Sequence, residues 1–360
     1  MSLTFNLGEE LSDLGGKVVL ITGATSGVGY AVARELLRKG ATVYLAARSE
    51  SKATATIYHL EAEGLGPGNG KAIWHKLNLD NPHDVKRTAE EFLARESRLD
   101  ILSEQGLFRT KVMRSDSVLL SKSTTLLGMS SHQIERLLAH DNSLGKEYAL
   151  GPIGVQDITT INYVSPFLFT KLLLPLLKKT AQSPDSDVRI INVGSDAHKL
   201  IRKAQFQSKH DLNGPTRSNS YWAQLKRYAF TKLLVVLWSK ELARQLAASN
   251  DSGSDILVVC VHPGSVASDG ALEGAGRLFW PLSKLVQWYI RKKFLTPTQA
   301  ATTVLIAAAQ PDLCREKVKY HGAYLLPFGR LANTNKLVAD EGLAKDLWIL
   351  TEKILADEGL

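Results

Sequence analysis

The sequence of 360 residues contains two cysteines, Cys260 and Cys314, and their separation does not match a metal-binding or redox motif. A disulfide framework is therefore not expected, and the chain should work in a reducing compartment such as the cytoplasm. Cys260 stands within the aliphatic run ILVVCV, which predicts a small buried core residue. No metal site is predicted.

Long hydrophobic runs are also missing, since none reaches the roughly 18 residues needed to span a bilayer. The N-terminal stretch MSLTFNLGEELSD carries acidic residues and lacks a basic start with an apolar centre, so it is not typical of a signal peptide. The formal charge of +8 suits anionic ligands. Because the basic residues are scattered, no nucleic-acid partner is expected.

Short aliphatic runs alternate with longer amphipathic stretches along the chain. The runs that read as strands buried on both faces are 17–22, 41–47, 71–77, 99–102, 188–193, 255–261 and 322–326. This alternation predicts one α/β domain over 1–360, a doubly wound parallel sheet of the Rossmann type with about seven strands. No shift in composition marks a second domain.

A glycine-rich loop, TGATSGVGY, follows the first predicted strand and leads at once into a helical pattern. Gly23, Gly27 and Gly29 allow a tight turn and let backbone N–H groups approach a pyrophosphate, and the helix N-terminus adds its positive dipole end. Loops collect glycine for other reasons, but the strand–turn–helix context is the one that a dinucleotide-binding loop requires.

The second predicted strand ends at Ala46-Ala47-Arg48-Ser49, without the acidic residue that would bind a free ribose 2′-hydroxyl. Arg48 can pair with a 2′-phosphate instead. The sequence therefore favours NADP (NADPH) over NAD as cofactor, the alternative being that Arg48 is only a solvated charge at a strand end.

Tyr228 and Lys232 lie four residues apart on a helical pattern and so share one face. The same spacing recurs at Tyr289 and Lys293, so position must separate the two pairs. Tyr228 begins an apolar helical stretch after a strand that ends at Gly194-Ser195, the edge where such sheets bind ligands. Tyr289 comes later, among apolar residues typical of a cover, and is interpreted as a decoy.

The first pair fits proton transfer. A free tyrosine has a pKa of about 10, which is too high for efficient acid–base work near neutrality, and a neighbouring ammonium group is expected to lower it. Ser195 could donate a hydrogen bond to a carbonyl oxygen while Tyr228 protonates that oxygen and a nicotinamide delivers hydride to the carbon.

These residues together resemble the short-chain dehydrogenase/reductase family over nearly the whole chain, except for roughly 103–140. The motifs that carry the resemblance are Thr22-Gly23-x-x-x-Gly27-x-Gly29, Asn162 in INYVSPFLFTKLLLP, Ser195 in INVGSDAH, Tyr228-x-x-x-Lys232 and His262-Pro263-Gly264 in VHPGSVAS. The DAH after Ser195 and the DLN at 211–213 resemble the retinol-dehydrogenase-like branch, particularly its fungal members, many of which act in secondary metabolism.

The resemblance implies roles for residues that the sequence alone does not single out. Asn162 would hold a water and complete a catalytic tetrad with Ser195, Tyr228 and Lys232. Asn78 occupies the place of an aspartate that touches adenine. The implied cofactor-binding residues are Thr22, Gly23, Thr25, Ser26, Gly27, Val28, Gly29, Arg48, Asn78, Tyr228, Lys232, Pro263, Gly264, Val266 and Ser268. Without the resemblance, Asn162 would be interpreted as a helix-surface amide.

The fourth predicted strand, LDIL, is expected to stop at Ser103-Glu104-Gln105-Gly106, where the family that the chain resembles continues into Val-Asn-Asn-Ala-Gly. Residues 103–137 are predicted to be an atypical insertion, with His140-Asp141-Asn142-Ser143 standing for the missing wall of the cofactor site. Two hypotheses remain open: the segment is an artefact of gene prediction, or it is real and forms a disordered excursion. Sequencing the mature transcript distinguishes them.

The favoured function is an NADP(H)-dependent oxidoreductase that interconverts a ketone or aldehyde and an alcohol. Lid segments at 199–220 and 269–295 carry apolar side chains, which suggests a fairly apolar small-molecule substrate, although ordinary lid packing gives the same pattern. The stretch WPLSKLVQWYIRKKF, within 269–295, is apolar and basic and could also rest on a membrane surface, which is the less favoured interpretation. The family resemblance makes a homo-oligomer plausible. The rival function is a non-catalytic NADP(H)-binding scaffold or sensor.

Overall fold

The computed structural model describes residues 10–105, 148–184, 186–267 and 282–360. The described strands are β1 Val18–Thr22, β2 Thr42–Ala47, β3 Lys71–Lys76, β4 Ile101–Glu104, β5 Arg189–Val193, β6 Leu257–Val261, β7 Ala323–Leu326 and β8 Arg330–Leu331. The long helices are α1 Gly27–Arg38, α2 Glu50–Glu63, α3 Pro82–Arg95, α4 Ser165–Ala181, α5 Tyr221–Ala247, α6 Leu282–Lys293, α7 Pro297–Ala309 and α8 Glu341–Asp357.

The eight described strands form one sheet in the order β3-β2-β1-β4-β5-β6-β7-β8. Seven strands are parallel, and the two-residue strand β8 pairs antiparallel with β7 at the edge. The predicted doubly wound α/β sheet is therefore confirmed, with one short strand beyond the expected seven. The strand order reverses between β1 and β4, and ligands bind at such a switch point in sheets of this kind.

Two hydrophobic clusters cover the two faces of the sheet. On one face, side chains from α3, α4, α5 and α8 pack together, with Phe92, Phe167, Trp238 and Leu347 fully or almost fully buried. On the other face, α1 and α7 pack against each other and against the aliphatic strands. The strands are apolar almost throughout because helices cover both faces. Cys260 is 2% exposed within this sheet, which confirms the prediction of a buried core residue.

The segment Asp157–Ala181, which ends in α4, is long and apolar enough to cross a membrane by composition, with a mean hydropathy of 1.3 in its best window. It differs in this respect from the sequence-based expectation. However, 78% of that window is buried inside the fold, as in the core helix of a globular domain. Its hydrophobicity is therefore accounted for by packing.

Strand β4 runs further than the sequence predicts. Ser103 and Glu104, which were expected to end the strand, lie within it and are buried. Ser103 pairs with Ile21 of β1 and Ile191 of β5, and Glu104 pairs with Asn192. Backbone hydrogen bonds on both sides hold a central strand irrespective of side-chain polarity. The remainder of the predicted insertion, with the 140–143 stretch, lies outside the described residues.

Glu104→Gln should stabilise the protein in a pH-dependent manner. Burial raises the pKa of Glu104 from 4.5 to about 8. The neutral acid is thus favoured in the folded state, and its contribution to stability is present below pH 4.5 and is lost as the pH rises to about 8. The amide cannot ionise, so the advantage of the variant in Tm should grow between pH 5 and 8 and reach about 2 °C or more.

Thermal unfolding followed by circular dichroism across this pH range measures the effect. Glu90→Gln, on the exposed face of α3, is the matched control and should follow the parent. Equal Tm values for the parent and Glu104→Gln at every pH would contradict the buried, uncompensated position of the carboxyl group.

Candidate active site

The glycine-rich loop between β1 and α1 is shaped by close backbone approach. Gly23 and Gly27 adopt φ values of 65° and 57°, which favour glycine. A Cβ added at Gly29 would lie 2.5 Å from the carbonyl oxygen of Gly23. Only glycine fits at this third position, because the first turn of the helix packs directly on the loop.

Helix α1 begins at this loop with an open N-terminus. Its N-cap residue, Ser26, makes no side-chain capping hydrogen bond, and the first turn contains no acidic residue. Backbone N–H groups and the positive end of the helix dipole are therefore available to an anion. Thr22 is fully buried, and its hydroxyl accepts a hydrogen bond of 2.9 Å from the backbone N–H of Gln105, so it braces the loop against β4.

Arg48 lies directly after β2 and is 43% exposed at its side chain. Its guanidinium donates to the Asp80 carboxylate at 2.9 Å. Asn78 stands nearby in the chain after β3, and its amide donates to Asp84 at 3.3 Å. Arg48 is therefore an accessible cation at the carboxyl edge of the sheet, although an acid already pairs with it.

Helix α5 carries Tyr228 and Lys232 to the end of β5. The Lys232 ammonium group lies 5.7 Å from the centroid of the Tyr228 ring and donates a 2.7 Å hydrogen bond to the carbonyl of Val193, the last residue of β5. The Tyr228 side chain hydrogen-bonds with the side chain of Ser195. Three of the four predicted catalytic side chains thus converge at one point.

The turn after β5 holds Ser195 in place. The chain enters a 3₁₀ helix at Asp196–Leu200, and the Ser195 hydroxyl accepts a hydrogen bond of 3.2 Å from the N–H of Ala197. The Nδ1 atom of His198 lies 2.7 Å from the carbonyl oxygen of Ser195, and its ring packs edge-on against Tyr324. The DAH sequence therefore acts as a structural support for the serine.

Burial governs the acid–base properties of the pair. It lowers the pKa of Lys232 to about 8 and raises the pKa of Tyr228, against which the hydrogen bond from Ser195 acts. The expectation that Lys232 lowers the pKa of Tyr228 is therefore wrong for this geometry. The reason is that the loss of solvation of the buried phenol is the largest effect on its pKa, and the hydrogen bond from Ser195 only partly opposes it.

Asn162 is buried, at 2% exposure, in a π-helical turn at Thr160–Val164 that precedes α4. Interpreting it from the residues alone as a surface amide is therefore wrong. Its amide nitrogen lies 3.2 Å from the hydroxyl of Thr231, which in turn donates to the carbonyl of Tyr228 at 2.8 Å. Thr231 joins Asn162 to the reactive helix, and nothing in the sequence indicates this role beyond its place next to Lys232.

The segment after β6 pairs with the chain that follows α6. Gly264 has a φ of 95°, and a Cβ there would lie 2.7 Å from Leu295. Val266 forms a parallel bridge with Leu295, whose backbone N–H donates to the Ser265 carbonyl at 2.8 Å, so the segment is held in place. Ser268 and the lid residues 269–281 lie outside the described residues.

Of the apolar side chains in and next to the predicted cover segments, some are buried in the core and others are exposed to solvent. Phe206 is 5% exposed and packs against Phe230, so it belongs to the core. Trp222, at the start of α5 directly after the cover loop, is 43% exposed. Tyr289, interpreted as a decoy, is 53% exposed on α6, among the exposed side chains Leu285 and Trp288.

The cover loop at 199–220 is attached to the segment that carries Asn162. The backbone N–H of Gln156, just before that segment, donates to the Asn213 side chain at 2.9 Å. The Arg227 guanidinium of α5 donates to the carbonyl of Ser218. The loop is therefore anchored both to the π-helical turn and to the reactive helix.

Comparisons with known proteins agree with this geometry. Residues 17–113 match the family model described as short chain dehydrogenase. The chain is 34% identical to a short-chain dehydrogenase/reductase of Armillaria gallica, over 99% of this chain and 98% of that protein. It is 30% identical to retinol dehydrogenase 14 of Homo sapiens, over 94% and 85% respectively.

A solved structure, that of L-sorbose reductase from Gluconobacter frateurii complexed with NADPH and L-sorbose, has the same fold with a TM-score of 0.57. The two sequences are 15% identical, and the match covers 91% of this chain and 100% of the reductase chain.

Gly29→Ala should damage the nucleotide loop, because its methyl group would overlap the Gly23 carbonyl. We expect the free energy of unfolding to fall by about 1–3 kcal/mol and NADPH binding to weaken. Denaturant unfolding and fluorescence titration measure both. Gly15→Ala is the control, since its Cβ would meet nothing closer than the Asp13 carboxylate at 3.6 Å. Equal NADPH affinity in the two variants would contradict the assignment of this loop.

Proposed function

The chain belongs to the short-chain dehydrogenase/reductase family of oxidoreductases, which use NAD(P)(H), and from this premise we propose that it is an NADP(H)-dependent enzyme interconverting a ketone or aldehyde and an alcohol. The observation that carries the proposal is the convergence of Ser195, Tyr228 and Lys232 at the carboxyl end of β5. A hydroxyl, a phenol and an ammonium group at one point suit the protonation of a carbonyl oxygen.

The residues at the switch point fit a dinucleotide. The loop has no room for a Cβ at Gly29, and the N-terminus of α1 offers N–H groups to a pyrophosphate. When bound, the nicotinamide supplies the hydride that reduces the carbonyl carbon. Tyr228 and Lys232 would face its ribose end, with Pro263 to Val266 beside it.

The roles of the side chains follow from their acid–base properties. In reduction, the Tyr228 phenol donates its proton to the carbonyl oxygen while the Ser195 hydroxyl donates a hydrogen bond to the same oxygen. The phenolate that remains regains its proton at the expense of the Lys232 ammonium group, whose pKa burial lowers to about 8. Asn162, anchored through Thr231, would hold the water that returns a proton to Lys232.

The preference for NADP(H) is supported by Arg48, the exposed cation that follows β2. In L-sorbose reductase the same fold binds NADPH. For Arg48 to meet a 2′-phosphate, its ion pair with Asp80 must be shared or exchanged. A bidentate contact between guanidinium and phosphate is stronger than an exposed ion pair, which favours the exchange.

The substrate, the compartment, the oligomeric state and the pathway are proposed from the sequence. The substrate is proposed to be a fairly apolar small molecule, handled in the cytoplasm by a homo-oligomer, with a role in fungal secondary metabolism. The rival function, a scaffold or sensor that binds NADP(H) without turnover, predicts tight NADPH binding and no oxidation of NADPH by any carbonyl. A panel of ketones and aldehydes incubated with protein and NADPH separates the two.

Tyr228→Phe should lower turnover at least about a hundredfold, because the general acid is lost while the ring remains. NADPH binding should be retained, since the hydroxyl is not needed to hold the cofactor loop. Steady-state kinetics and NADPH titration test this, and Tyr289→Phe should behave like the parent. Full activity in Tyr228→Phe would overturn the mechanism.

Arg48→Ala should raise the KM for NADPH about tenfold or more, because a charge-assisted contact with the 2′-phosphate is lost. The KM for NADH should stay unchanged. Arg87→Ala, at an exposed arginine of α3, is the control. An equal effect on both cofactors would instead assign Arg48 a purely structural role with Asp80.

A further inference from the structure

Glu104 is an acid in the middle of the sheet without a charged partner among the described residues. Its side chain is buried, and neither carboxylate oxygen has a hydrogen-bond partner within 3.5 Å among the described residues. The Thr22 hydroxyl, on the neighbouring strand, lowers the pKa of the carboxyl group, but burial raises that pKa by more. A polar group buried in this way costs stability unless something satisfies it.

A second unsatisfied polar atom lies beside it. Asn192 of β5 is in register with Glu104, so the two side chains stand next to each other on one face of the sheet. The Asn192 amide nitrogen donates to the Ser239 hydroxyl of α5 at 2.9 Å. Its amide oxygen is buried and has no described partner.

Both side chains line a small cavity of about 10 Å³ that Asn162 also lines. Its other walls are apolar side chains and include Val193, whose carbonyl accepts the hydrogen bond of Lys232. A space of this size holds about one water molecule, provided that two or more polar groups face it. Glu104, Asn162 and Asn192 are the polar residues of this lining, and the buried oxygens of Glu104 and Asn192 without a described partner are the groups that a water would satisfy.

We propose that Glu104 is a positioning residue of the active site, which binds one buried water together with Asn162 and Asn192 and so fixes the amide of Asn162 against Thr231. This inference depends on the proposed function, because it assigns Glu104 to the proton-transfer group of the same site. Neither the cofactor loop nor the reactive trio contains Glu104, which acts only through Asn162.

The acid must be protonated to take this part. The groups that face it are Thr22 from β1, Asn192 from β5, Asn162 from the π-helical turn and, from α4 and α5, the apolar walls Pro166, Val235 and Trp238. None of these groups carries a charge. Burial holds the pKa of Glu104 at about 8, so the neutral acid can donate to the water at neutral pH, and the water can donate to the Asn192 oxygen.

Two variants at this position test the role through kinetics. Glu104→Gln keeps a donor and should retain kcat close to the parent. Glu104→Leu removes it and should lower kcat about tenfold or more through misplacement of Asn162, with the dissociation constant of NADPH unchanged. Parent-like kcat in Glu104→Leu overturns the proposal, as does an equal loss in both variants or a loss of NADPH affinity that parallels the loss of kcat.

A crystal structure of the unmutated protein at high resolution provides the test that does not depend on activity or on the folding of Glu104→Leu. Ordered water between Glu104, Asn162 and Asn192 is expected, and an empty cavity overturns the proposal even if the protein reduces carbonyls. If the water is present but NADPH is oxidised by no carbonyl, the proposed function fails instead, and with it the positioning role.

Discussion

The hydrogen bond from the Lys232 ammonium group to the carbonyl of Val193 fixes the site to the sheet. Val193 ends β5, and the next residues lead to Ser195, so this contact sets the spacing between the reactive helix and the serine turn. The lysine is 1% exposed, and a charge-assisted bond in such surroundings is strong. The carbonyl at the strand end is therefore as important to the site as the reactive side chains are.

The sheet could be predicted from the sequence because parallel strands covered on both faces require short aliphatic runs, and these are visible without a structure. The nucleotide loop could be predicted for a similar reason, since its glycines and its helix are neighbours in the chain. Strand β4 could not be delimited, because Ser103 and Glu104 are polar and their place in the strand depends on pairing with β1 and β5.

The supports of the site were less accessible to sequence reasoning. Asn162 and Thr231 are 69 residues apart in the chain, and only the packing of the π-helical turn against α5 brings them into contact. The sequence predicts a lowered pKa for Tyr228, whereas burial raises it. Spacing on a helix reveals which residues are neighbours, but it does not reveal how deeply they are buried. Glu104 was seen only as the end of a strand, whereas the fold makes it a neighbour of the tetrad.

The bond between the cover loop and the chain just before Asn162 has a mechanical consequence. The Gln156 N–H and the Asn213 side chain join the two, so the loop cannot swing outward without pulling on the turn that orients the tetrad asparagine. The position of the cover loop and the orientation of Asn162 are thereby linked, and a second hydrogen bond, from the Asn213 amide to the carbonyl of Gly154, adds to the connection.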